Sequence, residues 1–426
     1  MFSRPSNHRR RAWAPAAAAA IVLGLAACSG SSPSPSASGG ASQTIVFAES
    51  GLGTEVQQTQ QAVSDFERVN PGIHVRIDVL SPDSTTYLSQ LENSFTAGSP
   101  TPDVYESDVT YPPKFARGGW ALNLARFGPD MKRYFPAEAA AGTRKGGIYA
   151  IPWFDNPEGL YYRTDLIKTP PSSPAQVVAD AKAAMQKDHA LTEGLAFEAR
   201  EYEGAVTAFM TVESAFGGRL RTSDIDTAGN VAALAWLQDS IYQNHIAPMT
   251  VTRWQEGQVA QEFVSGHTAF AIDYPFVEAL ATKAPVKGHV GYIPFPAGPG
   301  GTPGAAAGGE MLAINAKSAH AAAAWKLIQY LTSPKVETAR AEATGDPPSL
   351  PGAYTPALYA KAPYFKNVKT LISDAQTRPV NPDYLTVSRD LQVMLAQVFA
   401  HARSASAALS GSARAVRNDG NINTPP

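Results

Sequence analysis

Two stretches decide the fold: TIVFAES, residues 44–50, and VNPGIHVRIDVL, residues 69–80. The first is a run of apolar and β-branched residues that ends in small polar side chains, which is typical of a buried strand opening into a loop. From Thr54 apolar residues recur at helical spacing, and Asn70-Pro71-Gly72 ends that helix before Ile73–Leu80 alternates as a second strand. A strand, a helix and a strand within about 35 residues predict a βαβ unit and a parallel sheet.

The pattern of a strand followed by polar residues recurs at TPDVYESD, residues 101–108. In an open α/β sheet, ligands bind just beyond the carboxyl ends of the strands. Glu49, Glu55 and Asp108 end or follow predicted strands, so we expect them at this edge. Further helices are predicted over 173–187, 202–216, 227–244 and 254–264, a strand at TAFAIDYPF, a helix capped by Ser318, and a tail from Arg403 that begins weakly helical and ends disordered.

The amino terminus has the features of an export signal. Four arginines precede an Ala/Leu/Val-rich run that is too short to span about 30 Å of hydrocarbon. The run ends in LAAC, and Cys28 is the only cysteine of the chain, so residues 1–27 are predicted to be a signal peptide and Cys28 to be lipidated. Residues 28–43, rich in Ser, Pro and Gly, are predicted to be a flexible tether. Whether export uses the general secretory or the twin-arginine route stays open.

Charge and length narrow the classes of function. The chain has 35 Lys and Arg against 37 Asp and Glu, and removal of the four signal arginines leaves 31 basic against 37 acidic side chains. This balance argues against nucleic acid as a partner. A body of about 380 residues exceeds what one core usually supports, so two domains are expected. The eight histidines show no metal-ligand spacing, and no cofactor is predicted.

Aromatic rings and short polar side chains are concentrated in WALNL, residues 120–124, and IPWFDNPEGLYYR, residues 151–163. Neither stretch contains a thiol, a hydroxyl–histidine pair or a metal-binding motif. Flat apolar faces beside hydrogen-bonding groups suit a sugar, which has apolar C–H patches and a rim of hydroxyls. The sequence therefore predicts carbohydrate binding, and leaves open whether the sugar is also cleaved.

Motifs spread over residues 44–401 resemble the extracytoplasmic solute-binding lipoproteins of ABC sugar importers, and among them the trehalose/maltose-binding branch. The motifs that carry the resemblance are IVFAESGLGTE, DFERVNPGIHVRIDVL, DVYESDVTYPPKFARGGWALNL, YAIPWFDNPEGLYYRTDLI, FEAREYEGAVTAFM, FVSGHTAFAIDYPF, AAGGEMLAINAKS, ATGDPPSL and TRPVNPDYLTVSRDL.

The resemblance implies a two-lobed α/β fold of the type II periplasmic-binding-protein kind, each lobe a mostly parallel sheet flanked by helices, with a hinged cleft for the ligand. It implies lobe one at 44–154 and 309–345 and lobe two at 155–308 and 346–425. It also implies a monomer on the outer face of the cell membrane that delivers a di- or oligosaccharide to permease subunits, without being an enzyme.

The resemblance also implies the residues that contact the ligand. They are Glu55, Asp108, Phe154, Asn156, Glu256, Tyr274, Phe276, Gly309 and Arg378, and Glu310 occupies the neighbouring position of the same site. Carboxylates can accept bidentate hydrogen bonds from vicinal hydroxyls, aromatic rings can stack on pyranose faces, and a guanidinium can donate to two oxygens at once.

Other interpretations of the same residues stay open. Asp108 could be a helix N-cap, and Glu55 could complement a helix dipole. Tyr274 and Phe276 could belong to the core, and Arg378, which precedes a proline, could be exposed. Asn156 would be a turn residue on local sequence alone. Tyr202-Glu203-Gly204 is interpreted as the start of its helix and is left out of the site.

Several positions depart from the branch. Glu310 stands where relatives tend to have an aromatic stacking residue, Asn156 where aspartate is frequent, and Tyr274 where tryptophan is found; residues 85–88, TTYL, lack an arginine that a relative uses. Glu310 is expected to repel sugar phosphates and to accommodate an amino sugar. The sequence therefore predicts an oligosaccharide as a class rather than trehalose in particular.

A secreted glycoside hydrolase is the alternative from another class. Such enzymes need two carboxyl groups roughly 5–10 Å apart, one of them with a raised pKa. The sequence supplies carboxylates near the predicted site, but no hydrolase motif surrounds them. A surface adhesion protein is a third alternative, and it predicts no tight affinity for small sugars.

Overall fold

The computed structural model describes residues 42–419, except 53, 145, 221–223 and 380–381. The described strands are β1 Gln43–Ser50, β2 Ile73–Leu80, β3 Val104–Asp108, β4 Thr143–Arg144, β5 Gly147–Ile148, β6 Ile151–Asp155, β7 Gly159–Arg163, β8 Glu193–Ala196, β9 Thr268–Asp273, β10 Val290–Ile293, β11 Ala306–Ala307, β12 Gly309–Ile314 and β13 Gln376–Thr377.

The described α-helices are α1 Glu55–Val69, α2 Ser84–Thr96, α3 Pro112–Arg117, α4 Pro136–Ala141, α5 Pro174–Lys187, α6 Glu203–Glu213, α7 Ala228–Tyr242, α8 Glu256–Val264, α9 Phe276–Ala281, α10 Ala321–Leu331, α11 Pro334–Thr344, α12 Pro356–Lys361, α13 Phe365–Asp374, α14 Tyr384–Phe399 and α15 Ala405–Asp419.

The strands form two main sheets. A five-stranded sheet has the order β2-β1-β3-β12-β6, and a four-stranded sheet has the order β10-β7-β9-β8. In the first sheet β1 is parallel to β2 and β3, whereas β12 is antiparallel to β3 and β6. In the second sheet β8 and β9 are parallel, but β7 is antiparallel to both of its neighbours.

The βαβ unit predicted from residues 44–80 is therefore present, and the prediction of mostly parallel sheets is confirmed: among the described strands only β12 in the first sheet and β7 in the second run against the others. The two reversed strands occur where the chain passes between the two sheets. β6 ends at Asp155 and β7 begins at Gly159, and the chain returns to the first sheet with β12. Both β6 and β7 take antiparallel neighbours, and so does the returning β12.

Each sheet has an apolar core whose residues follow from the periodicity of the sequence. On β1 the side chains of Ile45 and Phe47 are fully buried, and they belong to one cluster with Val63 and Phe66 of α1. The second sheet is packed in the same way, with Leu195 of β8 in a cluster that includes residues of α6, α7 and α14. Alternation on the strand and the three- to four-residue spacing on the helix bring these side chains together.

Strands of the five-stranded sheet come from residues 43–155 and 309–314, and those of the four-stranded sheet from 159–293. The predicted lobe boundaries remain a proposal. The described residues belong to one compact unit.

Three local predictions need correction or lie outside the described residues. The tail from Arg403 is helical as predicted but is not weakly so, because α15 buries Ala408, Leu409 and Val416 against the second core; the end predicted to be disordered lies outside the described residues. Ser318 is not the N-cap of α10; that position is His320, whose backbone N–H donates to the Ser318 hydroxyl.

The signal peptide at 1–27, Cys28 and nearly all of the tether lie outside the described residues, and β1 already begins at Gln43. In the part of the chain that is described, no helix has the length and apolar character needed to cross a membrane.

Candidate functional site

A polar cavity of about 90 Å³ lies where strand ends of the two sheets face each other. By the roughly 10–15 Å³ that one water molecule needs, it has room for several waters. Seven of the ten predicted contact residues line it: Asp108, Asn156, Glu256, Tyr274, Gly309, Glu310 and Arg378. The expectation that the site lies beyond the ends of strands is met by Asp108, the last residue of β3.

Arg378 is the basic side chain of this cavity, and it is only 4% exposed. Its Nη2 donates to Asp108 Oδ2 at 2.6 Å and its Nη1 donates to Glu203 Oε1 at 3.0 Å. The alternative that Arg378 is a surface residue is therefore wrong. Because Asp108 belongs to β3 and Glu203 to α6, the guanidinium joins a strand of the first sheet to a helix beside the second.

Asp108 has a turn role in addition to this ion pair. Its Oδ1 accepts hydrogen bonds from the backbone N–H of Thr110 at 2.8 Å and from the Thr110 hydroxyl at 2.6 Å. The N-cap position of α3 is Tyr111, so Asp108 fixes the turn before the helix rather than its first residue. The turn orients the carboxylate so that its other oxygen faces Arg378.

The strand β12 supplies Gly309 and Glu310 to the same wall. Gly309 has φ +145°, and a Cβ there would lie 2.8 Å from the carbonyl oxygen of Phe154, so a side chain would be strained. Glu310 lies opposite Asp108 in the strand register. Burial, with the carboxylates of Glu106 and Asp108 nearby, raises the pKa of Glu310 well above its ordinary value.

The opposite wall is built around the hydroxyl of Tyr202. This hydroxyl hydrogen-bonds to a carboxyl oxygen of Glu198, lies 2.6 Å from Glu256 Oε2 and accepts the backbone N–H of Glu256 at 3.1 Å. Burial, with the carboxylate of Glu256 nearby, raises the pKa of Glu198 well above its ordinary value. The hydroxyl of Tyr274, which follows β9, lies 2.7 Å from Thr207 Oγ1.

Asn156 completes the site at the connection between β6 and β7. Its backbone N–H donates to the carbonyl oxygen of Gly308 at 3.2 Å, and its carboxamide oxygen has no hydrogen-bond partner among the described residues. The structure assigns no turn at Asn156, so the turn interpretation finds no support, and the carboxamide oxygen is available to a ligand.

Three predicted contact residues do not line the cavity. The guanidinium of Arg340, which is 1% exposed, lies 3.4 Å from Glu55 Oε2 and 4.2 Å from the ring centre of Phe154. Phe276 begins α9 and belongs to an apolar cluster, as the core interpretation allowed. The predicted contact of these side chains with a ligand finds no support in this structure, because buried neighbours already occupy their faces.

The sequence interpretation missed several lining residues. Tyr202 and Glu203 do begin α6 as expected, but both also face the cavity. Glu106 lies two positions before Asp108 on β3, and residues at that spacing share a face of a strand, so alternation could have identified it. Glu198 offered no local signal, since its partner Glu256 is far away in the sequence.

This arrangement can hold a small polar solute by hydrogen bonds to carboxyl, hydroxyl and carboxamide groups from both sides. Within the described ranges, no group of His, Cys, Asp and Glu side chains has an arrangement that could hold a metal ion. Two α/β sheets with a polar cavity between strand ends define a protein of the solute-binding class.

The chain belongs to the family of bacterial extracellular solute-binding proteins, whose family model matches residues 50–338. It is 28% identical over 355 residues to a probable ABC transporter-binding protein of Deinococcus radiodurans, covering 79% of this chain and 83% of that protein.

Solved structures give the same class. The maltose-bound MalE3 of T. maritima is 29% identical, with a TM-score of 0.84 over 88% of this chain and 99% of that one. The sugar-binding protein MalE of Xanthomonas citri is 25% identical, with a TM-score of 0.70 over 88% of this chain and 97% of that one. The two-lobed periplasmic-binding-protein fold predicted from the sequence is thereby confirmed.

Proposed function

We propose that the protein binds an extracellular di- or oligosaccharide, such as trehalose or maltose, between its two lobes and delivers it to the permease of an ABC importer. The observation that carries this proposal is the cavity lined by Arg378 with its partners Asp108 and Glu203 and, in the same lining, by Tyr274 and Asn156. Alternating acceptors and donors of this kind match the rim of hydroxyls on a sugar. The maltose held by T. maritima MalE3 supports a sugar as the ligand class.

Hydrolysis is not part of this proposal. Several carboxyl groups of the cavity are already engaged by the protein: Glu106 accepts the backbone N–H of Ser50 at 2.6 Å, and Asp108 accepts from Arg378. The membership of the chain in a solute-binding family argues in the same direction. We propose a monomer that acts without a cofactor on the outer side of the membrane.

Calorimetric titration with a sugar panel tests the proposal. We expect saturable binding of at least one di- or oligosaccharide with a dissociation constant in or below the micromolar range, about −8 kcal/mol or stronger. The panel includes trehalose, maltose, maltotriose and cellobiose, and each mixture is assayed afterwards for released glucose. Glucose release would favour the hydrolase, and absence of binding to every sugar would refute the proposal.

Anchoring through Cys28 gives a separate prediction. If Cys28 carries a lipid, Cys28→Ser removes the attachment, and the protein should move from the membrane fraction into the medium. Fractionation followed by immunoblotting measures this. A Ser29→Ala variant, which keeps the cysteine, is the matched control and should stay with the membrane. Retention of the Cys28→Ser protein on the membrane would contradict lipid anchoring.

A further inference from the structure

We infer that the preferred ligand is a carbohydrate that carries a protonated amino group, an inference that rests on the proposed sugar-binding function. The inference follows from the charges that line the cavity. Six carboxyl groups line it together with one guanidinium: Glu106, Asp108, Glu198, Glu203, Glu256, Glu310 and Arg378.

The single positive charge of Arg378 does not neutralise these six carboxyl groups. Arg378 donates to Asp108 and to Glu203, which leaves the other four carboxyl groups. In the described part of the chain none of these four lies within ion-pair distance of a lysine or arginine. The cavity is therefore acidic on both of its walls, since Glu310 comes from the first sheet and Glu198 follows the second.

Glu198 provides the observation that points to a ligand. Its side chain is fully buried and lines the cavity, and its Oε1 has no hydrogen-bond partner among the described residues. Its other oxygen shares the hydroxyl of Tyr202 with Glu256. A phenol has one proton to donate, so it cannot donate to both carboxylates at the same time. The pair therefore needs another proton or a cationic donor.

An ammonium group supplies what these carboxyl groups lack. It carries a positive charge and three N–H donors, so it can donate to Glu198 and to a neighbouring carboxylate together. A neutral sugar brings only hydroxyls, and the unpaired carboxyl groups would then have to stay protonated to avoid the cost of a buried charge. A metal ion is a poorer occupant, because the described carboxyl groups do not gather into a metal-binding arrangement.

The remaining polar groups explain why the cation should be part of a sugar. The hydroxyls of Tyr274 and Thr207 and the carboxamide of Asn156 are neutral donors and acceptors that suit ring hydroxyls. A linear polyamine carries N–H donors but no hydroxyls, so it would use less of this lining than an amino sugar.

The test compares sugars that differ only in the amine. The probes are the β-1,4-linked glucosamine disaccharide, its di-N-acetylated form and cellobiose, together with trehalose and 2-amino-2-deoxytrehalose, titrated at pH 7 by calorimetry. We expect the aminated member of at least one pair to bind at least about tenfold more tightly than its neutral counterpart, as hydrogen bonds to charged groups allow. Spermidine is titrated as a cation that is not a sugar.

Variants of the cavity test which carboxyl groups cause the preference for the aminated sugar. Glu198→Gln and Glu310→Gln each remove a charge while keeping the shape, and each should reduce the preference for the aminated sugar several-fold. Glu193→Gln is the matched control: Glu193 is a buried carboxyl at the other end of the same strand segment and does not line the cavity. It should leave the preference unchanged. Melting temperatures of all variants show whether each is folded.

The outcomes separate this inference from the proposed function. Equal or tighter binding of the neutral sugars overturns the inference and leaves the sugar-binding function intact. Binding of spermidine without binding of any sugar refutes both. A preference for the amine that survives in both cavity variants also overturns the inference, because it would then not arise from these carboxyl groups.

Discussion

Arg378→Met is expected to weaken sugar binding by well over tenfold and to lower the free energy of unfolding by about 3–5 kcal/mol. The variant keeps the apolar part of the side chain but leaves the carboxylates of Asp108 and Glu203 without their shared cation. Both carboxylates lie against a guanidinium that is only 4% exposed, so water does not replace it readily. Calorimetry with the sugar identified by the panel and denaturant unfolding of the ligand-free protein measure the two effects.

The ligand-free protein should lose stability because the ion pair between Arg378 and Asp108 is already formed without a ligand. If Asp108 and Arg378 approached a sugar from opposite walls without touching, the ligand-free protein would not depend on either. They are 2.6 Å apart, so their pair exists before any ligand arrives. Asp108→Ala should therefore destabilise the ligand-free protein as well.

Arg117→Met is the matched control. Arg117 also pairs with an aspartate, Asp383, at 2.6 Å, but its side chain is 55% exposed. Exposed pairs of this kind contribute about 0–1 kcal/mol, so both stability and affinity should stay close to those of the unchanged protein. Wild-type sugar affinity in Arg378→Met would mean that the cavity is not the sugar site.

Stability is expected to fall as the pH rises from about 5 to 8. Burial raises the pKa of Glu213 and of Glu158 to about 8, and that of Glu49 and of Glu138 to about 7. In this window the folded protein holds protons that the unfolded chain, with carboxyl pKa values near 4.3, has released. The stabilisation is complete below the unfolded pKa and is lost as the pH passes through the raised values. Each such group contributes about 1.4 kcal/mol per pH unit.

Thermal unfolding at pH 5.5, 6.5, 7.5 and 8.5 measures this slope. The melting temperature should be higher at pH 5.5 than at pH 8.5 by at least several degrees, since several such groups act together and 1 kcal/mol corresponds to roughly 2–4 °C in a large domain. Glu213→Gln should flatten the curve, because burial raises the pKa of this side chain into the measured pH range and the side chain lies outside the cavity. Glu201→Gln, at an exposed position, should not change it. A curve that rises with pH would contradict the prediction.

Local sequence predicted much of the architecture, because apolar periodicity and the residues that end helices and strands act over short distances. The run at 44–80 folds as the expected βαβ unit, and Asp108 lies at the expected strand end. Aromatic residues were harder to place. Phe154 and Phe276 would look the same in the sequence whether they stacked on a sugar or filled the core, and the structure buries both.

Long-range groupings could not be predicted from local patterns. The hydroxyl of Tyr202 brings Glu198 and Glu256 together although 58 positions of sequence separate the two carboxyl groups. The same holds for Arg378 and Asp108, which are 270 positions apart. Only the resemblance to a family pointed to Arg378, and it gave the residue without its partners.

The position of β12 has a consequence for the order in which the molecule can be made. This strand lies inside the first sheet, between β3 and β6, and its residues Gly309–Ile314 follow those of β3 by about two hundred positions. A nascent chain that does not yet include β12 cannot complete the five-stranded sheet. An exported polypeptide therefore emerges with its first core incomplete until some three-quarters of it has been synthesised, which favours passage through a membrane channel before the native state can form.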